Sequence, residues 1–441
     1  MTSAPRRSCC IAFALAALLS ACQTASLSGP STAAQSTPAS PAAIQQAAPT
    51  TQAVIANYTA IAQASFGDAL LTGRRLETAV GKLLAHPAID TLTAARTAWR
   101  AARIPYLQTE VFRFGNQVVD EWEPRVNSWP LDEGLIDYVA PSYGTTSDTN
   151  NFYTANVIAH PLLDIGGMSV DAGTLSPQFL AETLQNVDGV DANVATGYHA
   201  IEFLLWGQDL HGTGPGAGER PYTDYDLVHC THHNCDRRRT YLESATHLLV
   251  SDLDEMAQSW QRGGRAYEAL MAKGENDGLA TMLTGMGSLA YGELAGTRLR
   301  TALLSHDPQQ EQDDFSDNTL SSHFYNARGI RNIWQGSYER TNGDVVSGAS
   351  LEALLRANAP EVHAEMNAKV ETTDLAMEAL LDQGSPYDML IAPGNSQGET
   401  FINTAVQALM EETHTIEKII NMLGLQNVSI KGSDSLDAPA K

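Results

Sequence analysis

The spacing of apolar residues limits this chain most. From residue 51 onward they recur every three or four positions through long stretches rich in Ala, Leu, Glu and Gln, the period of helices with one buried stripe. Val, Ile and Thr never alternate with polar residues over a useful length, so strands have little support. The spacing predicts helices near 51–85, 90–113, 176–187, 191–206, 237–261, 275–304, 323–338, 348–383 and 397–423, and the fold class is all-α. Gly- and Pro-rich breaks at 141–150, 211–223 and 383–396, with an acidic break at 306–318, join helices long enough for antiparallel bundles. A chain of 441 residues fills two such bundles better than one. The expected division is an N-terminal helical bundle over 51–250, a C-terminal one over 251–425 and a loose polar tail over 426–441.

Charge removes a class of partner. Lys and Arg number 27 against 51 Asp and Glu, a formal charge of −24, which repels phosphate backbones and anionic headgroups. A nucleic-acid partner is therefore not expected. No apolar run reaches the ~18 residues of a spanning helix.

Arg6 and Arg7 precede an apolar stretch over residues 11–19, and Leu19-Ser20-Ala21-Cys22 follows, the layout of a secretory signal. The tetrapeptide resembles the lipobox of bacterial lipoproteins, whose cysteine carries the lipid; the alternative is ordinary cleavage after Ala21. On the first reading 1–21 is a signal peptide, Cys22 is lipidated, and Gln23 resembles the sorting residue for the outer membrane. The protein would then be exported, face the periplasm and touch membrane only through its anchor. Residues 22–50 are mostly Ser, Thr, Ala, Pro and Gln with no charged side chain, too polar to bury a core, so they read as a flexible, disordered tether.

After that, only Cys230 and Cys235 remain as thiols. Five apart in an exported chain, they read as a local disulfide. A metal site is the rival, because His229, His232 and His233 crowd the same loop.

The segment Gly197-Tyr198-His199-Ala200-Ile201-Glu202 leads into Phe203-Leu204-Leu205-Trp206. On a helix His199 and Glu202 share one face, and the apolar block should bury them, where a carboxylate needs a partner or a proton. His414 and Glu417 repeat the spacing on what reads as a solvated helix face.

The segment resembles the Gly-x-His-x-x-Glu signature of the imelysin family, bacterial exported proteins that include an insulin-cleaving peptidase and iron-regulated protein A. Trp99 to Glu110 with Phe112-Arg113-Phe114 is similar to the same family. So are Asn127 to Glu133 with Ile136-Asp137-Tyr138, and Phe315 to Thr319 with Gly329-Ile330-Arg331-Asn332 and Gly336-Ser337-Tyr338. The likeness spans roughly 51–425 and is strongest to the iron-regulated branch, which Asn234 to Arg238 also resembles. It implies two helical bundles with a pocket between them that holds the His-x-x-Glu motif. Two departures stand out: Thr297 occupies a position where an acid is expected, and no His-Glu-x-x-His exists anywhere, so the usual zinc-peptidase arrangement is missing.

Two ligands hold a metal weakly, so further ones are needed. Glu110 is the first candidate to join His199 and Glu202; its alternative is an ion pair with Arg113. Asp132 and Glu133, at a turn after Trp129-Pro130, and Ser316, Asp317 and Asn318, ahead of a helix, are pocket candidates with helix capping as the alternative. The acidic run from Asp307 to Asp317 reads as a solvated loop, Arg96, Arg100 and Arg103 as a surface stripe, and Gly285, Gly287, Gly292 and Gly296 as a helix face in close contact. Carboxylate with imidazole in a bundle suits a divalent metal ion, iron first and zinc as the alternative. The function expected is binding or uptake of iron or an iron-linked ligand by an envelope lipoprotein, with iron-uptake proteins of the envelope as partners. The alternative is the metal-dependent peptidase implied by the family.

Overall fold

The computed structural model describes residues 48–436; the signal segment, Cys22 and almost all of the tether lie outside the described residues. The principal helices are α1 (Thr51–Ala85), α2 (Ile89–Leu107), α3 (Gly197–Trp206), α4 (Cys235–Ser259), α5 (Gly274–Ser288), α6 (Thr319–Gln335), α7 (Pro360–Leu381) and α8 (Ser396–Met422). The only strands among the described residues form two antiparallel hairpins, Leu162–Ile165 with Met168–Asp171 and Ser337–Glu339 with Val345–Ser347. The fold is all-α, and among the described residues no helix is long and apolar enough to cross a membrane.

α1 starts where Thr50 accepts a hydrogen bond from the amide of Ala53, a side-chain N-cap. It packs on α2, α4 and α5, while α8 packs on α7 and α5, and α6 touches α2 and α7. A continuous apolar core runs through both sets. Tyr58, Phe66, Phe112, Trp122 and Trp260 interlock between α1 and α4, with ring centroids 4.8 to 6.2 Å apart.

Several elements depart from the expected bounds for identifiable reasons. The second predicted helix ends at Leu107 and gives way to a 3-10 turn at Glu110–Phe112, because Pro105 removes a donor from its last turn. The helix expected over 348–383 breaks at Ala359, and Pro360 opens a new one. The segment after α5 continues as a π-helix, Leu289–Arg300, in which Thr297 Oγ1 donates to the carbonyl of Gly292. The glycines there meet two different neighbours. A Cβ at Gly285 would lie 2.1 Å from the carbonyl oxygen of Val111, whereas at Gly292 and Gly296 it would strike the carbonyl of Lys431 and the side chain of Ser433. The chain end that composition left loose is thus laid along this face at least as far as Ser433, and Lys431 Nζ donates to Glu293 at 2.6 Å.

Candidate metal centre

All ten residues of α3 are buried, as expected of a helix apolar on every side. Its first residue must be glycine for two reasons: φ is +80°, and a Cβ would sit 2.4 Å from the carbonyl oxygen of Val126. Trp99 of α2 donates its indole N–H to the carbonyl of Tyr198 at 3.0 Å, and Gly207, at φ +75°, closes the helix on Phe203. These contacts hold His199 and Glu202 in the interior, 1% and 0% exposed.

The third member comes from the acidic loop. Asp313 is 0% exposed, and its Oδ1 stands 3.8 Å from His199 Nδ1, while Glu202 Oε2 stands 3.0 Å from the same nitrogen. Ligand atoms of His199, Glu202 and Asp313 all lie within 4.8 Å of one another, the only such group of three among the described residues.

Surrounding hydrogen bonds fix which lone pairs point inward. Arg103 Nη1 donates to Asn127 Oδ1 at 2.6 Å, and Asn127 Nδ2 donates to Glu110 Oε1 at 2.7 Å and Glu123 Oε1 at 3.1 Å. The amide therefore turns its oxygen toward His199 Nε2, 3.2 Å away, which must be the protonated nitrogen. Nδ1 is left with a lone pair, so its contact with Glu202 Oε2 requires the proton to sit on the carboxyl. Burial pushes Glu202 well above the ordinary carboxyl range, with Asp313 adding to it, and burial pulls His199 down to about 3, assisted by Arg103; a neutral imidazole beside a protonated acid follows. Burial alone would raise Asp313 too, but the Arg103 guanidinium, 2.8 Å away, holds it below its usual value. Ser316 donates its N–H and hydroxyl to Glu202 Oε1 at 3.1 and 2.6 Å, and Asn318 and Ser322 donate to Asp313 Oδ2. A cation replacing the proton of Glu202 would find one imidazole nitrogen and two carboxylate oxygens, each oriented by a neighbour.

Glu110 is not brought into this group. Arg298 Nη2 lies 2.6 Å from its Oε2, Asn326 donates to the same oxygen at 3.1 Å and Asn127 covers the other, so it belongs to an ion pair; Arg113 instead pairs with Asp120 and Glu123. Asp132, partly buried, accepts from Asn150 and makes no side-chain cap, and Glu133, buried, faces Gln208; the partners of His199 are instead Glu202, Asn127 and Asp313. Asp317 stands in the left-handed region outside the group, whereas Ser316 and Asn318 hold the carboxylates of Glu202 and Asp313.

Arg96, Arg100 and Arg103 are not a surface stripe: Arg103 is fully buried, and Arg96 and Arg100 lie against Trp206 and donate to the carbonyls of Leu205 and Ser316. Nor is the acidic run solvated, for Glu311, Asp313 and Asp314 are buried. Cys230 and Cys235 form a disulfide with Cα atoms 5.9 Å apart, and His229 and His232 turn to Asp226 and Asp224. His414 and Glu417 are exposed.

The Peptidase M75 family model, Imelysin, matches residues 62–416. The chain belongs to the imelysin family. Iron-regulated protein A of Synechococcus elongatus is 23% identical over 392 residues, covering 83% of this chain and 86% of that protein. The crystal structure of a protein described as an iron-regulated protein A precursor from Parabacteroides distasonis superposes with a TM-score of 0.62 at 21% identity, over 86% of this chain and 97% of that one. At that identity the structural likeness concerns the imelysin fold alone.

Proposed function

We propose that this imelysin-family protein binds a divalent metal ion, iron foremost and zinc as the alternative, through His199 Nδ1, Glu202 Oε2 and Asp313 Oδ1. The observation that carries this reading is the convergence of those three atoms around a nitrogen whose lone pair the Asn127 contact leaves bare. One imidazole and two carboxylates suit a borderline cation. Arg103 already neutralises part of Asp313, so two positive charges are balanced better than three. The names of the relatives, iron-regulated protein A, put iron ahead of zinc.

Binding or uptake is favoured over peptide hydrolysis by burial. A hydrolytic centre must admit a water and a peptide to an open coordination position, and all three side chains here are at most 1% exposed. We further propose an exported lipoprotein, anchored by Cys22 to the periplasmic face of the outer membrane, that passes its cation to envelope iron-uptake proteins. Mass spectrometry of the mature N-terminus tests the anchor: a lipid-modified Cys22 supports it, and an unmodified residue there rejects it. Metal analysis of protein made with iron, zinc and manganese present tests the site, the reading requiring a tightly held cation that Asp313→Asn and Glu202→Gln each lose while remaining folded.

A further inference from the structure

A cavity of about 520 Å³ adjoins the candidate metal centre on the side of Asn127. Asn127 is one of its walls and holds Oδ1 3.2 Å from His199 Nε2. Glu123, Glu293, Arg298 and Gln312 are others, and this polar lining suits water and ions better than an apolar ligand. His199, Glu202 and Asp313 do not line it, so Asn127 stands between the cavity and the ligating atoms.

A further wall is Lys431, and it belongs to a segment held very differently from the helices. Across residues 426–436 none is buried, yet the surface beneath is shaped to receive them. A Cβ at Gly287 would lie 2.8 Å from Cδ1 of Ile430, one at Gly292 2.5 Å from the carbonyl oxygen of Lys431, and one at Gly296 2.2 Å from Cβ of Ser433. Each glycine weakens its helix relative to alanine, and each makes room for a residue of the same segment. Polar contacts are few: the Lys431 amide donates to Ser288 Oγ at 3.0 Å, Ser435 Oγ donates to the carbonyl of Gly296 at 2.9 Å, and Lys431 Nζ donates to Glu293 Oε1 at 2.6 Å. The Lys431 side chain is 48% exposed, so that ion pair is screened and weak. A segment with a fitted bed, no buried residue and a weak latch can open at small cost while the bundles stay folded.

We propose that residues 426–436 are a strap that closes this cavity and, by lifting from the glycine face, gates the way to His199. Its effect on a cation rests on the metal reading above; closure of the cavity does not.

The test uses the full mature chain with Thr297→Cys, which places a thiol in the cavity wall, and follows its reaction with a bulky maleimide by mass spectrometry of that peptide. Cys230 and Cys235 are joined and do not compete. Two changes should lift the strap. Gly292→Ala favours the helix but sets a methyl group against the Lys431 carbonyl, and Ile430→Ala with Lys431→Ala removes the strap's own side chains without altering the bundles. Each should speed labelling roughly tenfold, the factor given by losing about one hydrogen bond's worth of free energy. Thr93→Cys, exposed in a separate groove, should react alike in all chains. Ferrous iron, followed without oxygen into a chromophoric chelator, should leave both variants faster than the parent, with its affinity within about threefold because the strap touches no ligand. If Gly292→Ala fails to fold, the strap variant alone decides. Labelling unchanged in the folded variants, or faster to the same degree at Thr93→Cys, would overturn the strap, and faster labelling with unchanged iron exchange would overturn its gating of His199. Iron absent from every chain would defeat the metal reading alone and leave labelling to decide the strap.

Discussion

Two buried carboxylate sites meet at the amide of Asn127. On one side Glu110 faces Arg298 at 2.6 Å with Asn326 on the same oxygen; on the other, Glu202 and Asp313 face the nitrogen of His199. The residue types and the burial are alike. What differs is where the countercharge sits: the first site carries its cation as a guanidinium, while in the second Arg103 covers one carboxylate and a proton covers the other. A site whose charges are matched by the chain has no need of a metal, and one that must hold a proton to stay neutral can exchange it for one.

The sharpest way to break the comparison is to delete ligands on each side. His199→Ala, Glu202→Gln and Asp313→Asn should each reduce cation affinity by roughly 100-fold or more, and a double variant by little more, since ligands of one site act as a unit. Glu110→Gln should leave cation affinity within about threefold by calorimetry but lower stability by about 1–3 kcal/mol, because Arg298 loses the charge of its nearer acid and keeps only Glu293, 3.4 Å away; equal effects of both sets on affinity would erase the distinction. Asn127→Leu sits between them. By freeing the imidazole to switch tautomer, it should cost about 10–100-fold in affinity, measured by competition with a chromophoric chelator.

The smallest effect concerns pH. Glu202 is raised in the folded protein, so its contribution to metal-free stability is fully present below the unfolded carboxyl value of about 4.3 and is lost as pH rises through its elevated value. Asp313 is lowered, so its contribution is present above the unfolded carboxyl value and is lost as pH falls from there through its depressed folded value. Denaturant unfolding of the metal-free protein should therefore show a decline on the alkaline side, shared with the buried Glu311 and Asp314, that Glu202→Gln makes shallower and Asp313→Asn does not. A flat alkaline limb in the unsubstituted protein would contradict the neutral state assigned to Glu202.

Local pattern carried most of the helices. α1 runs from Thr51 to Ala85 behind the Thr50 cap, and the apolar block after Glu202 correctly placed that carboxylate in the interior. The partners were beyond local pattern. Arg103 and Asp313 are 210 residues apart, and five acids in eleven residues look solvated when nothing nearby in sequence answers their charge. Two signals could have pointed to Asp313: Phe315 marks the run as partly apolar, and Arg103 sits on a helix flanked by Trp99 and Tyr106, an apolar setting that asks for a distant acid. Glu110 has the same apolar setting as Glu202, and only the position of Arg298, 188 residues away, separates the two.

The central claim, that one cation sits among His199, Glu202 and Asp313, is tested most directly by equilibrium dialysis of the mature protein against ferrous iron without oxygen, beside folded His199→Ala. The account predicts one tightly held ion per chain and its loss in the variant; undiminished iron in folded His199→Ala would contradict it.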